Sequence, residues 1–246
     1  MTAHRPLKRS FDIYYRDHAR TARMDALNAQ FVKPGQLAFD LGAHVGDRTA
    51  SFLRLGARVV AVEPQPNVFR ALRLIHGRHP LVTLHRAALA AQPGRARMLL
   101  NTRNPTVSTL SSDFVTAAES ADGWRDQSWD YGIDVPVLTL DQLIAGHGLP
   151  DFVKIDVEGH EAQVLHGLST PLPALSFEVT TLQRDVGLAA IARLSALGPY
   201  TFNLTLGETH SLGPDWVSAD AMSARLQTLP DSANSGDIYA RVGSCW

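Results

Sequence analysis

The sequence predicts an α/β domain of the nucleotide-binding kind, with helices on both faces of a sheet. Three observations predict it. A short apolar run, Leu37-Ala38-Phe39, leads into Asp40-Leu41-Gly42-Ala43-His44-Val45-Gly46, and a segment of helical patterning follows. Strand, glycine turn, helix is the opening unit of such domains, because small residues let a ligand approach the backbone where the strand turns. An acid, Glu63, closes the next apolar run, about 20 residues beyond the glycines, where it would meet a ribose. Further apolar runs of strand length then alternate with helical segments.

The acid before the first glycine narrows the ligand. A carboxylate there suits a cation and not a pyrophosphate, and the Gly-x-Gly-x-x-Gly spacing of NAD and FAD proteins is missing. S-adenosylmethionine carries an ammonium and a sulfonium and no phosphate, so it is the expected cofactor.

The 246 residues, 45% hydrophobic and 19% charged, suffice for one sizeable core. A net charge of −1 suggests neither a nucleic-acid nor a membrane-surface partner. The single cysteine, Cys245, leaves no disulfide framework or zinc cluster and fits a reducing compartment. No run of 18 apolar residues and no apolar signal core occurs, so a cytoplasmic enzyme is expected.

In chain order, residues 1–30 read as a helical extension and residues 31–246 as the cofactor-binding domain. Helical spacing over residues 12–31 aligns Ala19, Ala22, Met24, Leu27 and Phe31 on a helix that would pack on the domain edge or over the cofactor, with Arg16, Arg20 and Arg23 read as a basic solvated face in preference to a polyanion site. Lys33-Pro34-Gly35 turns into the first strand. Residues 47–55 form a helix stopped by Gly56, and residues 58–62 a second buried strand ending in Glu63-Pro64. Pro66 starts a helix reaching Gly77, where His76 and His79 supply charge near a C-terminus. Residues 81–86 and 96–100 read as strands, and Ala87-Ala88-Leu89 could border an adenine. The polar stretch 101–132 is long enough to be a lid, with Trp124 and Trp129 over cofactor or substrate, or else a surface insertion with a short helix. Strand 133–138 precedes a capping box, Thr139 to Gln142. Strand 151–156 runs into Asp156-Val157-Glu158-Gly159-His160-Glu161 and a helix to Gly167. Strands follow at 175–179, 200–204 and 238–242, with helices at 188–197 and, capped by Ser218, at 219–229.

Five pieces of this chain resemble the FkbM family of S-adenosylmethionine-dependent methyltransferases. They are Lys33-Pro-Gly, Phe39-Asp-Leu-Gly-Ala-His-Val-Gly-Asp47, Val62-Glu-Pro64, Val137-Leu-Thr-Leu-Asp141 and, most specifically, Lys154-Ile-Asp-Val-Glu-Gly-His-Glu161. The resemblance spans residues 30–180. It implies a class I methyltransferase fold: a seven-stranded, Rossmann-like sheet in the order 3-2-1-4-5-7-6, strand seven antiparallel. It also implies O-methylation of a hydroxyl on a small molecule, natural product or sugar, with S-adenosylhomocysteine as product.

Ligands of open α/β sheets bind beyond the carboxyl ends of the strands where strand order reverses. Here that is between Asp40 and Asp156. The expected cofactor residues are Asp40, Gly42, Ala43, His44, Gly46, Glu63, Pro64, Ala88 and Asp156. A hydroxyl is a poor nucleophile until its proton is taken, so Asp156, His160 and Glu158 are the catalytic candidates. Each has a structural alternative: Asp156 fixing its turn, Glu158 capping the next helix, His160 solvated at a helix start. Glu178, ending a strand, could line the acceptor pocket. Asp156, Glu158 and Glu178 offer oxygens that would suit Mg²⁺, but no metal is assigned. An NAD-dependent oxidoreductase and a non-catalytic cofactor-binding partner protein are the alternatives to a methyltransferase.

Overall fold

The structure, a computed structural model, describes residues 5–243; Cys245 lies outside them. Two helices open the chain, α1 (Arg5–Arg16) and α2 (His18–Asn28), where helical spacing predicts one. Asp17 breaks the run in an extended conformation (φ −87°, ψ 93°) and caps α2 by accepting from the Arg20 amide. Arg20, Met24, Leu27 and Asn28 form the buried stripe, and Ala19 and Ala22 are exposed.

Next come β1 (Leu37–Leu41), α3 (Asp47–Arg54), β2 (Arg58–Val62), α4 (Pro66–His76) and β3 (Val82–His85). The middle of the chain holds β4 (Ala88–Leu89), β5 (Gly94–Leu100), α5 (Ser112–Glu119) and β6 (Tyr131–Leu138). The last part holds α6 (Leu140–His147), β7 (Phe152–Ile155), α7 (Glu161–His166), β8 (Ala174–Thr180), α8 (Arg184–Leu197), β9 (Tyr200–Leu206), α9 (Ala219–Thr228) and β10 (Ser235–Val242). The capping box is present: Thr139 accepts from the Gln142 amide and Gln142 from the Thr139 amide.

The main sheet runs β3-β2-β1-β7-β8-β10-β9, and β10 is antiparallel to both neighbours. Counted within that sheet the order is 3-2-1-4-5-7-6, that of class I methyltransferases. A second, three-stranded sheet, β4-β6-β5, was not legible in the sequence and stands beside it around Met98, Val135 and Val137.

Alternation along β1 divides the core. Leu37, Phe39 and Leu41 face a cluster with Leu140, Val164, Leu165, Leu194 and Met222, from α6 to α9. Ala38 faces a cluster with Leu27, Phe52 and Leu72, from α2, α3 and α4. Asp40 and Lys154, paired in register on β1 and β7, share this second face. Among the described residues no helix is long and apolar enough to cross a membrane.

Candidate active site

β1 and β7 lie side by side at the point where strand order reverses. The turn after β1 touches the turn after β7. Gly42 has φ +82°, and a Cβ built on it would meet the Asp156 carbonyl oxygen at 1.7 Å. Only glycine allows this approach. Beyond the two turns opens a cleft of about 970 Å³, its solvent-filled mouth included. Asp40, Gly42, Ala43, His44, Glu63, Pro64, Ala88, Asp156, Glu158 and His160 all line it. Gly46 does not. It precedes α3, where a Cβ would press on Leu72 and His76 at 2.6 Å, so its smallness serves helix packing.

Glu63 is 3% exposed. One of its oxygens accepts from the His44 amide at 3.0 Å, the other from the Gln65 amide at 2.8 Å. These bonds fix the carboxyl and leave one lone pair on each oxygen. Burial outweighs them and pushes Glu63 up to about 7. Asp40 accepts from the Thr49 hydroxyl of α3 at 2.6 Å, and burial raises it to about 6. Both ring nitrogens of His44 are buried without a partner, and burial lowers its pKa, so the imidazole is neutral.

Asp156 faces the cleft with 38% of its side chain exposed. Behind it the buried Lys154 ammonium stands 3.3 Å away and donates also to Asp237 of β10. Burial alone would lower the Lys154 pKa; Asp156 and Asp237 raise it well above the ordinary value. Glu161 pins the turn from beneath, accepting from the Val157 and Gly159 amides at 3.1 and 3.3 Å. Glu158 sits in the left-handed region (φ 55°), and its carbonyl accepts from Thr109 at 2.6 Å. Burial, then Asp156 and Glu161, hold the Glu158 carboxyl well above the carboxylate range. Burial lowers His160, which is neutral at pH 7.

Glu178 departs from its expected place. It lines a separate small cavity with Gly159, Glu161 and Gln183, and its Oε2 is buried without a partner. Burial, then Glu158 and Asp156, raise its carboxyl strongly. One oxygen each from Asp156, Glu158 and Glu178 nevertheless lie within 4.8 Å of one another. The tryptophans depart as well. Trp124 and Trp129 pack edge-on around Phe114 of α5, and Trp129 donates to the Val107 carbonyl. From residues 101–132 it is Pro105, Thr106, Ser108 and Leu110 that reach the cleft. His76 carries no charge to the end of α4. It is buried, its Nε2 lies 3.0 Å from the Gly46 carbonyl, and burial lowers its pKa.

Sequence reading allowed the N-terminal helix to lie over the cofactor but did not identify the groups that close the cleft from outside the central units. Arg20 of α2, read as part of a solvated basic face, is 4% exposed and bonds Asp47 and Glu208. Tyr14 of α1 lies against the Arg20 guanidinium, 4.9 Å from its ring centre, and edge-on to His44. Arg48 of α3 approaches Asp237 at 3.5 Å. A charged residue inside an apolar strand was the one available signal, and it pointed to Lys154.

A family model described as the methyltransferase FkbM domain matches residues 40–197, more than half of the chain. The hexuronic acid methyltransferase AglP of Haloferax volcanii is 24% identical over 63% of this chain and 59% of its own length. The 31-O-demethyl-FK506 methyltransferase FkbM of Streptomyces tacrolimicus is 31% identical over 56% of this chain and 61% of its own length. The chain thus matches about three fifths of each curated relative. Among solved structures, a precorrin-6y C5,15-methyltransferase from Geobacter metallireducens aligns over 92% of this chain and 88% of its own, at 14% identity and a TM-score of 0.47.

Gly42→Ala should cost about 2–4 kcal/mol, combining left-handed strain with an overpacked contact. Gly123→Ala is the control: Gly123 is also left-handed (φ +91°), but nothing lies within 4 Å of its would-be Cβ. Denaturant unfolding of both variants checks this. Equal losses would mean that the two turns do not meet at Gly42.

Proposed function

Because the chain belongs to the FkbM methyltransferase family, we propose that it transfers a methyl group from S-adenosylmethionine to a hydroxyl of a small molecule, natural product or sugar. The observation that carries the proposal is the convergence of Glu63, the Gly42 turn and Asp156 on one cleft at the strand-order reversal. The residues present fit the cofactor. Glu63 keeps a free lone pair on each oxygen for two ribose hydroxyls. Ala87, Ala88 and Leu89 give an apolar wall for the adenine. His44 offers unpartnered ring nitrogens. The relative named for 31-O-demethyl-FK506 supports an oxygen as target, and the one named for a hexuronic acid supports a sugar-like acceptor.

When bound, the cofactor supplies an electrophilic methyl on a sulfonium. The chain's own part is to align the acceptor oxygen and remove its proton. Asp156 is the base in this reading: its carboxylate is open to the cleft, with an ammonium fixed behind it. Glu158, whose carboxyl is pushed toward the acid form by burial and by Asp156, is in this reading a hydrogen-bond donor to the acceptor and not the base. His160 is neutral and able to accept a proton in second place. No metal is assigned, since the cation beside Asp156 is Lys154.

Labelled-methyl transfer to a panel of hydroxylated small molecules and sugars tests the activity. With an acceptor in hand, Asp156→Asn should slow single turnover by about 10²–10⁴, the usual worth of a general base, with little change in affinity for S-adenosylhomocysteine. His160→Ala should cost less, and chelators should leave the rate unchanged. A full rate in Asp156→Asn removes it as base. A chelator-sensitive rate restored by Mg²⁺ makes Asp156, Glu158 and Glu178 a cation site.

The raised pKa of Glu63 sets a pH dependence. Ribose hydroxyls bond the carboxylate better than the acid, so affinity is fully present above about 7 and falls as pH drops through that value. Between pH 8 and pH 6 S-adenosylhomocysteine should bind about tenfold more weakly. Glu63→Gln should flatten the curve in calorimetry. Parallel curves for both proteins would take Glu63 out of the site.

A further inference from the structure

The N-terminal extension brings one polar group to the cleft that nothing among the described residues satisfies. Arg20 is 4% exposed and lines the cleft. Its Nε donates to Glu208 at 2.8 Å and its Nη2 to Asp47 at 3.0 Å, while Nη1 is buried with no partner. A guanidinium donor left unmade in a buried place is costly, and a carboxylate is its natural complement. We propose that Arg20 Nη1 is the carboxylate receptor of this cleft.

Two carboxylates could fill it: that of the cofactor's amino-acid end, or one on the acceptor. The surroundings favour the first. Arg20 is held to Asp47, the neighbouring Arg48 reaches Asp237, and Asp237 shares Lys154 with Asp156. Through the adjacent residues Asp47 and Arg48, these ion pairs link Arg20 to Asp156 along the cleft wall. There a free cationic donor stands among Asp47, Glu208 and Asp156, all cleft-lining acids. Such a pairing suits an α-amino acid, whose ammonium meets the acids while its carboxylate meets the arginine. Tyr14 covers the guanidinium face and keeps water from it. Arg20, Tyr14 and Glu208 all fall outside residues 40–197, so this contact is supplied from beyond the matched family domain.

The inference rests on the reading of the cleft as an S-adenosylmethionine site, and the probes separate the two. Calorimetry compares S-adenosylhomocysteine, its decarboxylated analogue and 5′-methylthioadenosine, on wild type, Arg20→Lys and Arg20→Gln. Arg20→Lys keeps a charge for Asp47 and Glu208 but loses the fork. Methylthioadenosine, lacking the amino-acid end, reports whether each variant keeps the adenosine site. In wild type, loss of the carboxylate should weaken binding about 10- to 100-fold, the span of a charged hydrogen bond. In both variants that penalty should shrink to about threefold or less, with methylthioadenosine unchanged. A second arm compares KM for acceptors carrying a free carboxylate and for their methyl esters. A carboxylate preference lost in Arg20→Lys, with no penalty on the cofactor side, assigns the receptor to the acceptor. Equal penalties in wild type and variants on both arms overturn the proposal. Failure of wild type to bind any of the three nucleosides overturns the underlying reading of the cleft instead.

Discussion

The site depends on one buried ammonium. Lys154 sits in the middle of the sheet with 3% of its side chain exposed, bonded to Asp237 and 3.3 Å from Asp156. Taking a charge out of water costs several kcal/mol unless partners with good geometry offset it. Here both partners are fixed by strands: Asp156 follows β7, and Asp237 comes from β10, on the far side of β8. Arg48 of α3 joins the same carboxylate. Burial opposes the charge of Asp237, yet Lys154 and Arg48 hold its pKa below the ordinary value. The closing strand thus holds, through Asp237, the two cations Lys154 and Arg48 that line the cleft. Replacing such a cluster by apolar residues would be no loss to packing. Its position beside the cleft, with an open carboxylate in front, is what makes sense of it.

The remaining acids divide by environment. Asp156, Glu158 and Glu178 approach within 4.8 Å of one another, and like charges so close cannot all ionise in a partly dry place. Lys154 stands beside the first and not the others. Burial, then the neighbouring acids, raise the carboxyls of Glu158 and Glu178 well above the carboxylate range, against the pull of Lys154. The proposed division of roles between Asp156 and Glu158 rests on that difference of surroundings on one turn. The left-handed backbone of Glu158, held by Thr109, and the amide bonds to Glu161 keep that turn in shape.

Local features were legible in the sequence. The Gly42 turn, Glu63 and Asp156 obey spacings set by the βα unit, and the structure brings them to one cleft. The sheet order followed from family resemblance, not from periodicity. What escaped were contacts made across the chain. Arg20 and Glu208 lie 188 positions apart, and no local pattern links them. The helical stripe through Ala19 and Ala22 failed because the buried face of α2 is centred on Arg20, Met24, Leu27 and Asn28, and it takes in an arginine whose partners Asp47 and Glu208 lie far along the chain. The tryptophans pack on Phe114 of α5, an aromatic cluster inside the insertion that no local spacing announces. Lys154 was visible as a charge in an apolar strand, but only its neighbours on β10 and α3 explain it.

The central claim is that the cleft between β1 and β7 holds S-adenosylmethionine with its reacting sulfur at Asp156. A crystal structure of the protein with S-adenosylhomocysteine tests it most directly. The account predicts the ribose hydroxyls on Glu63, the adenine against Ala88, and the sulfur beside the Asp156 carboxylate. A ligand bound elsewhere, or turned so that its sulfur lies away from Asp156, would contradict it.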